Sequence, residues 1–253
     1  MDPDAYLHRI GARPSPTTDL KTLWHLQERH LATVPFENLA IHLGERVSLE
    51  EKDLFAKIVD RRRGGICYEV NGLFAWLLRE LGFEVTLLGA KVFRGGSLGP
   101  PFDHLALRVD LDEPWLVDVG FGRHSVHPLR LNATEAQQDD AGDFLILDAP
   151  GGDIDILRDG EPAYRLERRA RELHEFEPTC WWQTTSPGSN FTKRLVCSLL
   201  TADRQVTLAG DRLIETVGDD RTERLLSGDA EILATYRTVF GFELERVPVV
   251  GQK

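Results

Sequence analysis

The chain has 253 residues, 42% hydrophobic and 8% aromatic, which suits a folded core and argues against global disorder. Its 30 Lys and Arg against 41 Asp and Glu leave a net charge of −11. That balance disfavours a general nucleic-acid or anionic-membrane binder, since such partners select a basic face, but leaves room for a small anionic ligand that reads a local patch.

Met1–Arg13 is polar and lacks the apolar stretch of a signal peptide, and no segment approaches the roughly 20 apolar residues of a membrane span. The three cysteines, Cys67, Cys180 and Cys197, form no CxxC pair, so neither a disulfide scaffold nor a structural zinc is expected. A reducing, cytoplasmic location follows as the expectation.

In chain order, Thr17 or Thr18 can cap a helix with Leu20, Leu23, Trp24 and Leu31 on one side. Ser48-Leu49-Glu50-Glu51 fits a capping box before Leu54, Phe55, Ile58 and Val59. A third helix starts near Cys67 and carries Val70, Leu73, Phe74, Leu77, Leu78 and Leu81 at helical spacing, with Gly82 as its stop. Strand patterns follow at Val85–Phe93, His104–Val109, Trp115–Val119, Phe144–Leu147 and Tyr164–Arg171, with Asn132–Asp143 as a polar loop. Leu195–Leu200, Gln205–Leu208 and Leu213–Val217 read as a meander, and Asp229–Phe240 as a last helix stopped by Gly241. The expected organisation is α+β: a helical lobe over 1–84, a β lobe over 85–190 and a small α/β lobe over 191–253.

Gly64 and Gly65 precede the third helix and let the backbone turn tightly, delivering Cys67 into its first turn. There the unpaired N–H groups and the positive dipole end favour a thiolate. Cys67 also lies on the apolar stripe, so a buried core cysteine and an activated nucleophile both fit.

A base is suggested by the hairpin His104–Val109 and Trp115–Val119. If it is symmetric about Leu111, Arg108 faces Pro114, Ala106 faces Leu116 and His104 faces Asp118. An Asp opposite a His on one face can accept the imidazole N–H and aim the other nitrogen at a nucleophile. A slip of one residue would separate the two side chains, leaving a chance polar pair.

Arg63-Gly64-Gly65-Ile66-Cys67-Tyr68-Glu69-Val70-Asn71 resembles the signature of the arylamine N-acetyltransferases around their acyl-accepting cysteine. Tyr6-Leu7-His8-Arg9-Ile10-Gly11, Val34-Pro35-Phe36-Glu37-Asn38-Leu39, His104-Leu105-Ala106-Leu107, Asp118-Val119-Gly120-Phe121-Gly122 and Thr185-Ser186-Pro187-Gly188-Ser189-Asn190-Phe191 follow that family's order. The likeness covers roughly residues 5–200. It implies a helical bundle, a β-barrel and an α/β lid around a triad like that of cysteine proteases. It also implies ping-pong transfer of an acetyl group from acetyl-coenzyme A to arylamines or arylhydrazines. By the same resemblance Cys67 is the nucleophile, His104 its base and Asp118 the orienting carboxylate. Phe36, Val92 and Phe121 would line the substrate pocket, with Gly120 near the cofactor and no metal. Arg9, Glu37 and Arg63 would be buried ionic scaffolding.

Asp103, beside His104, departs from the small neutral residue relatives often carry. In a strand it should point away from His104; facing the cleft instead, it would raise the His104 pKa. Cys180 and Cys197 read as packed residues, Lys193 and Arg194 as phosphate contacts, and Arg94–Pro101 as a loop that gates substrate or lies idle. His124 and His127 near Asp118 offer at most an accidental metal site. A thiol hydrolase, an amide synthase or a non-catalytic coenzyme-binding relative would fit the same residues, and a homo-oligomer is compatible with the sequence.

Overall fold

In the computed structural model, which describes residues 1–201, 203–218 and 220–251, the chain opens with helices α1 (Pro3–Ile10) and α2 (Leu20–Thr33). Ala202, Asp219, Gln252 and Lys253, all within the lobe expected from residue 191, lie outside the described residues. The cap of α2 is Asp19, not Thr17 or Thr18. Its carboxylate accepts the Thr22 N–H at 2.8 Å, and a charged oxygen suits the positive helix end better than a hydroxyl. Leu23 and Leu31 are buried as expected, but Trp24 is 42% exposed and stacks on His127.

Strand β1 (Phe36–Glu37) and helices α3 (Leu39–Leu43) and α4 (Glu51–Phe55) follow. The expected capping box does not form: the Ser48 hydroxyl receives the Glu50 N–H only two residues on. Helix α4 runs into a π-turn, Ala56–Asp60. Helix α5 (Cys67–Glu80) is buried from Cys67 to Leu78, and Gly82, at φ +92°, ends it as expected.

The second half of the core is an antiparallel sheet of β2 (Glu84–Arg94), β3 (Ser97–Leu98), β4 (His104–Asp110), β5 (Pro114–Val117), β6 (Leu129–Arg130), β7 (Gln137–Asp139), β8 (Gly142–Asp148), β9 (Ile154–Arg158) and β10 (Glu161–Arg171). Its order is β6-β5-β4-β2-β10-β9-β8-β7, with β3 paired to β2. The edges β6 and β7 meet through one side chain. The Gln137 amide accepts from Arg130 N–H and donates to Arg130 C=O, at 2.7 and 3.1 Å, so the sheet is nearly a closed barrel. Ala106, Leu116, Phe144 and Tyr164 fill its interior. Leu105, Leu107 and Val117, one residue out of phase, pack outward with α5. The stretch expected as a polar loop contains β7 and the start of β8. The β7 residues carry no apolar alternation, and only pairing to β8 makes them a strand.

Helices α6 (Glu177–Thr185) and α7 (Asn190–Lys193) lead to β11 (Cys197–Leu200), β12 (Gln205–Ala209), β13 (Arg212–Val217), β14 (Asp220–Leu225) and α8 (Asp229–Val239). The meander forms, extended by β14, and β1 from the first half of the chain completes its far edge beside β11. A third apolar cluster, including Leu39, Cys197, Leu208 and Tyr236, lies beneath this sheet.

Candidate active site

Cys67 is placed by close backbone packing. A Cβ on Gly64 would fall 1.7 Å from the Pro35 carbonyl oxygen, and one on Gly65 would lie 2.7 Å from the Glu69 carboxylate. Only glycines let the Pro35–Glu37 segment cross here, where Glu37 N–H donates to Gly65 C=O at 3.0 Å. Cys67 therefore begins α5 and is itself 3% exposed.

His104 opens β4 and Asp118 follows the end of β5. The register differs from the symmetric hairpin: Arg108 lies opposite Leu116, and Asp110 opposite Pro114. Pro114, which has no N–H, starts the return strand, so the turn centres on Asp112 rather than Leu111. The shift is two residues, which preserves the face of every side chain. His104 and Asp118 thus meet on a diagonal, with Nε2 to Oδ2 at 2.7 Å and both residues buried. The other imidazole nitrogen is left for Cys67, whose nearness favours the charged ring.

Asp118 is saturated with donors. Its Oδ1 receives Asn71 Nδ2–H and Gly120 N–H, both at 2.9 Å, and its Oδ2 receives Tyr164 O–H at 3.2 Å besides His104. Asn71 also accepts from Val119 N–H and donates to Leu105 C=O, so one side chain on α5 ties both strands to the helix bearing Cys67. Burial opposes both charges of the His104–Asp118 pair, but their mutual attraction prevails. The imidazolium is stabilised up to about 10, and the carboxyl is held far below its usual range. His124, hydrogen-bonded to Tyr164 at 3.1 Å, is pushed down to about 4 by burial and stays neutral.

The Phe121 ring centroid lies 5.1 Å from that of His104. Val92, opposite Tyr164 across β2 and β10, packs with Phe121 against the barrel interior. Phe36 sits farther out, 6.1 Å from the Phe191 ring. Gly120 touches Cys67 itself: a Cβ there would lie 2.7 Å from Cys67 Cα. Asp103 faces away from His104, and its carboxylate is bound by Arg94 at 2.8 Å and Gln183 at 2.5 Å. Arg63 pairs with Glu37 at 2.9 Å, whereas Arg9 donates to the Ile58 and Arg62 carbonyls instead of joining the carboxylates. Arg94–Pro101 folds as the β2–β3 hairpin. Burial raises the Cys180 and Cys197 thiols, as befits packed residues. Among the described residues, no group of three or more His, Cys, Asp and Glu could hold a metal, His124 and His127 included.

Beside this centre, Gln205 reaches the Gly122 carbonyl at 3.5 Å, and a cleft of about 400 Å³ opens, lined by Arg123, Gln205, Thr207, Thr216 and Arg221. Neither this cleft nor two larger hollows, about 560 and 820 Å³, is lined by Cys67, His104 or Asp118. Asn71 was missed as a partner, although its place one helical turn after Cys67 was an available signal. Tyr164 and His124 carried no such signal, because only barrel closure brings them to Asp118.

A thiol, an imidazole and a carboxylate buried together are the equipment of enzymes that pass acyl groups through a cysteine. A family model described as N-acetyltransferase matches residues 19–249. An arylamine N-acetyltransferase of Mycolicibacterium smegmatis is 36% identical, over 96% of this chain and 93% of the relative. The solved arylamine N-acetyltransferase of M. smegmatis superposes with a TM-score of 0.90 at 34% identity, covering all of both chains. That of Mycobacterium marinum in complex with CoA gives 0.86 at 31%, over 95% of this chain and 93% of the other. The chain belongs to the arylamine N-acetyltransferase family and is an acetyltransferase.

Proposed function

We propose that the chain moves an acetyl group from acetyl-coenzyme A to the nitrogen of arylamines or arylhydrazines through an acetyl-Cys67 intermediate. The observation that carries this reading is the 2.7 Å His104–Asp118 contact, which stabilises the imidazolium and leaves a ring nitrogen for Cys67.

The Cys67 thiolate attacks the thioester carbonyl while His104 holds the proton, and the backbone N–H of Cys67 is placed to donate to the oxyanion. The carbon–sulfur bond of the donor breaks, and the departing coenzyme A thiolate takes the proton from His104. An amine then attacks the acetyl carbonyl, its proton passes to His104, and the Cys67 thiolate leaves. Phe121, Val92 and Phe36 form the apolar wall for the aromatic acceptor. The cleft offers the guanidinium groups of Arg123 and Arg221 to the donor's phosphates, and use of such a donor is supported by the M. marinum relative solved in complex with CoA. Lys193 is less suited to that task, since its ammonium is turned onto the Gly188 carbonyl. Three buried free cysteines suit a reducing cytoplasm, and among the described residues no helix is long and apolar enough to cross a membrane.

The test is release of coenzyme A from acetyl-coenzyme A with and without aniline. Amine-dependent release supports the transferase; equal release without amine identifies a hydrolase; no release contradicts turnover. The pH profile is a second check. The His104 imidazolium is stabilised from 6.5 to about 10, so the charged form persists through neutrality and is lost only above that value. The single-turnover acetylation rate is expected to fall on passing about pH 10, and Asp103→Ser should leave that limb in place because Arg94 and Gln183 hold its carboxylate. A limb near 6.5, or one moved by the Asp103 variant, would contradict the assignment.

A further inference from the structure

The π-turn Ala56–Asp60 closes with Arg61 N–H on Ala56 C=O at 3.0 Å. Such turns are rare and occur frequently at functional sites. Here the turn accompanies an inward lysine. Lys57 is 6% exposed, with its ammonium 2.7 Å from Glu69 Oε1 and 3.9 Å from Glu37 Oε1. Lysines are almost never so buried unless paired. The other oxygen of Glu69 accepts the Ile66 N–H at 3.0 Å, directly before Cys67. Glu69 is thus the cap of the helix that presents the nucleophile.

A carboxylate in the first turn favours the helix, yet its charge two residues from Cys67 opposes a thiolate. We propose that Lys57 is a positioning residue for Cys67: its ammonium neutralises Glu69, so the cap fixes the nucleophile's turn without setting a negative charge against the thiolate. This inference rests on the reading of Cys67 as the nucleophile. The groups facing Glu69 are Lys57 from the π-turn, Glu37 from β1 with Arg63 behind it, and Cys180 from α6, while Cys67 precedes it by two residues on the same helix. Burial already pushes the Glu69 carboxyl up, and Lys57 is the cation that counters this. Without Lys57, Glu69 would hold a proton to higher pH and then ionise unbalanced.

The experiment compares the parent chain, Lys57→Met and Lys57→Met/Glu69→Gln by the iodoacetamide alkylation rate of Cys67 and by kcat and KM with acetyl-coenzyme A and aniline, from pH 6 to 9. One unbalanced charge is expected to slow Lys57→Met about tenfold at pH 8, with the gap closing towards pH 6 and KM within about twofold. The double variant keeps an oxygen for Ile66 N–H and should return to within about threefold of the parent at pH 8. A merely structural brace predicts the opposite, a double variant no better than the single. The inference is overturned if Lys57→Met follows the parent profile, or if the double variant stays as slow as the single at pH 8. Should Lys57→Met not fold, the double variant decides alone: near-parent rates support the inference and a tenfold loss overturns it. A parent chain that neither releases coenzyme A nor alkylates faster at Cys67 than at Cys180 overturns the nucleophile reading and this inference together.

Discussion

Replacing Asp118 with Asn is expected to lower kcat/KM for acetyl transfer by about a thousandfold or more while the chain stays folded. Asp118 only accepts: two N–H groups on Oδ1, and His104 with the Tyr164 hydroxyl on Oδ2. An amide has one accepting oxygen, so its NH₂ must face one of these pairs of donors. Asn71 and Gly120 are anchored to the backbone and claim the oxygen, which turns the NH₂ towards His104. The imidazole then avoids a donor–donor clash by moving its own proton to the nitrogen beside Cys67. In that tautomer it cannot take the thiol proton, and the imidazolium loses its counter-charge. Steady-state kinetics with an arylamine, beside a thermal melt of each protein, separate this from unfolding. A folded variant retaining more than about a tenth of parental kcat/KM would remove Asp118 from the proposed chemistry.

Gly120→Ala is the second large effect, and its cause is steric. The added Cβ would lie 2.7 Å from both Cys67 Cα and Asn71 Nδ2, closer than real Cβ atoms approach anything. The backbone or the head of α5 must therefore give way by several tenths of an ångström. Misplacement by about 1 Å costs on the order of a hundredfold in rate, so a loss approaching that is expected in kcat. The lost contacts of Asn71 should lower the melting temperature as well. Gly44→Ala serves as the contrast: its φ of +72° strains any side chain, but no atom lies within 4 Å, so only stability should suffer. Equal kinetic damage from both variants would contradict a steric link between Gly120 and Cys67.

How far the site was legible depends on the range of the interaction. Helix α5 was readable because its apolar residues recur at helical spacing and the flanking Gly64, Gly65 and Gly82 have local tasks. The hairpin pairing of His104 with Asp118 was right in face and wrong in register. Alternation along a strand fixes parity, whereas register depends on where the turn closes, here at Pro114. Caps misled for a related reason: Ser48 and Thr18 have the right chemistry, but Asp19 and the backbone course decide which acceptor reaches an N–H. The Tyr164–His124 support of Asp118 joins residues 40 or more apart, and the Lys57–Glu69 pair and the closing of β6 on β7 by Gln137 depend on how the chain bends between their partners. No local pattern encodes them.

The most direct test of the account is the intact mass of the protein after exposure to acetyl-coenzyme A in the absence of an amine. The expected result is one acetyl group, located on Cys67, absent from Cys67→Ala, and discharged when aniline is added. An unmodified protein that still acetylates aniline, or an adduct that persists in Cys67→Ala and remains competent for transfer, would contradict passage of the acyl group through Cys67.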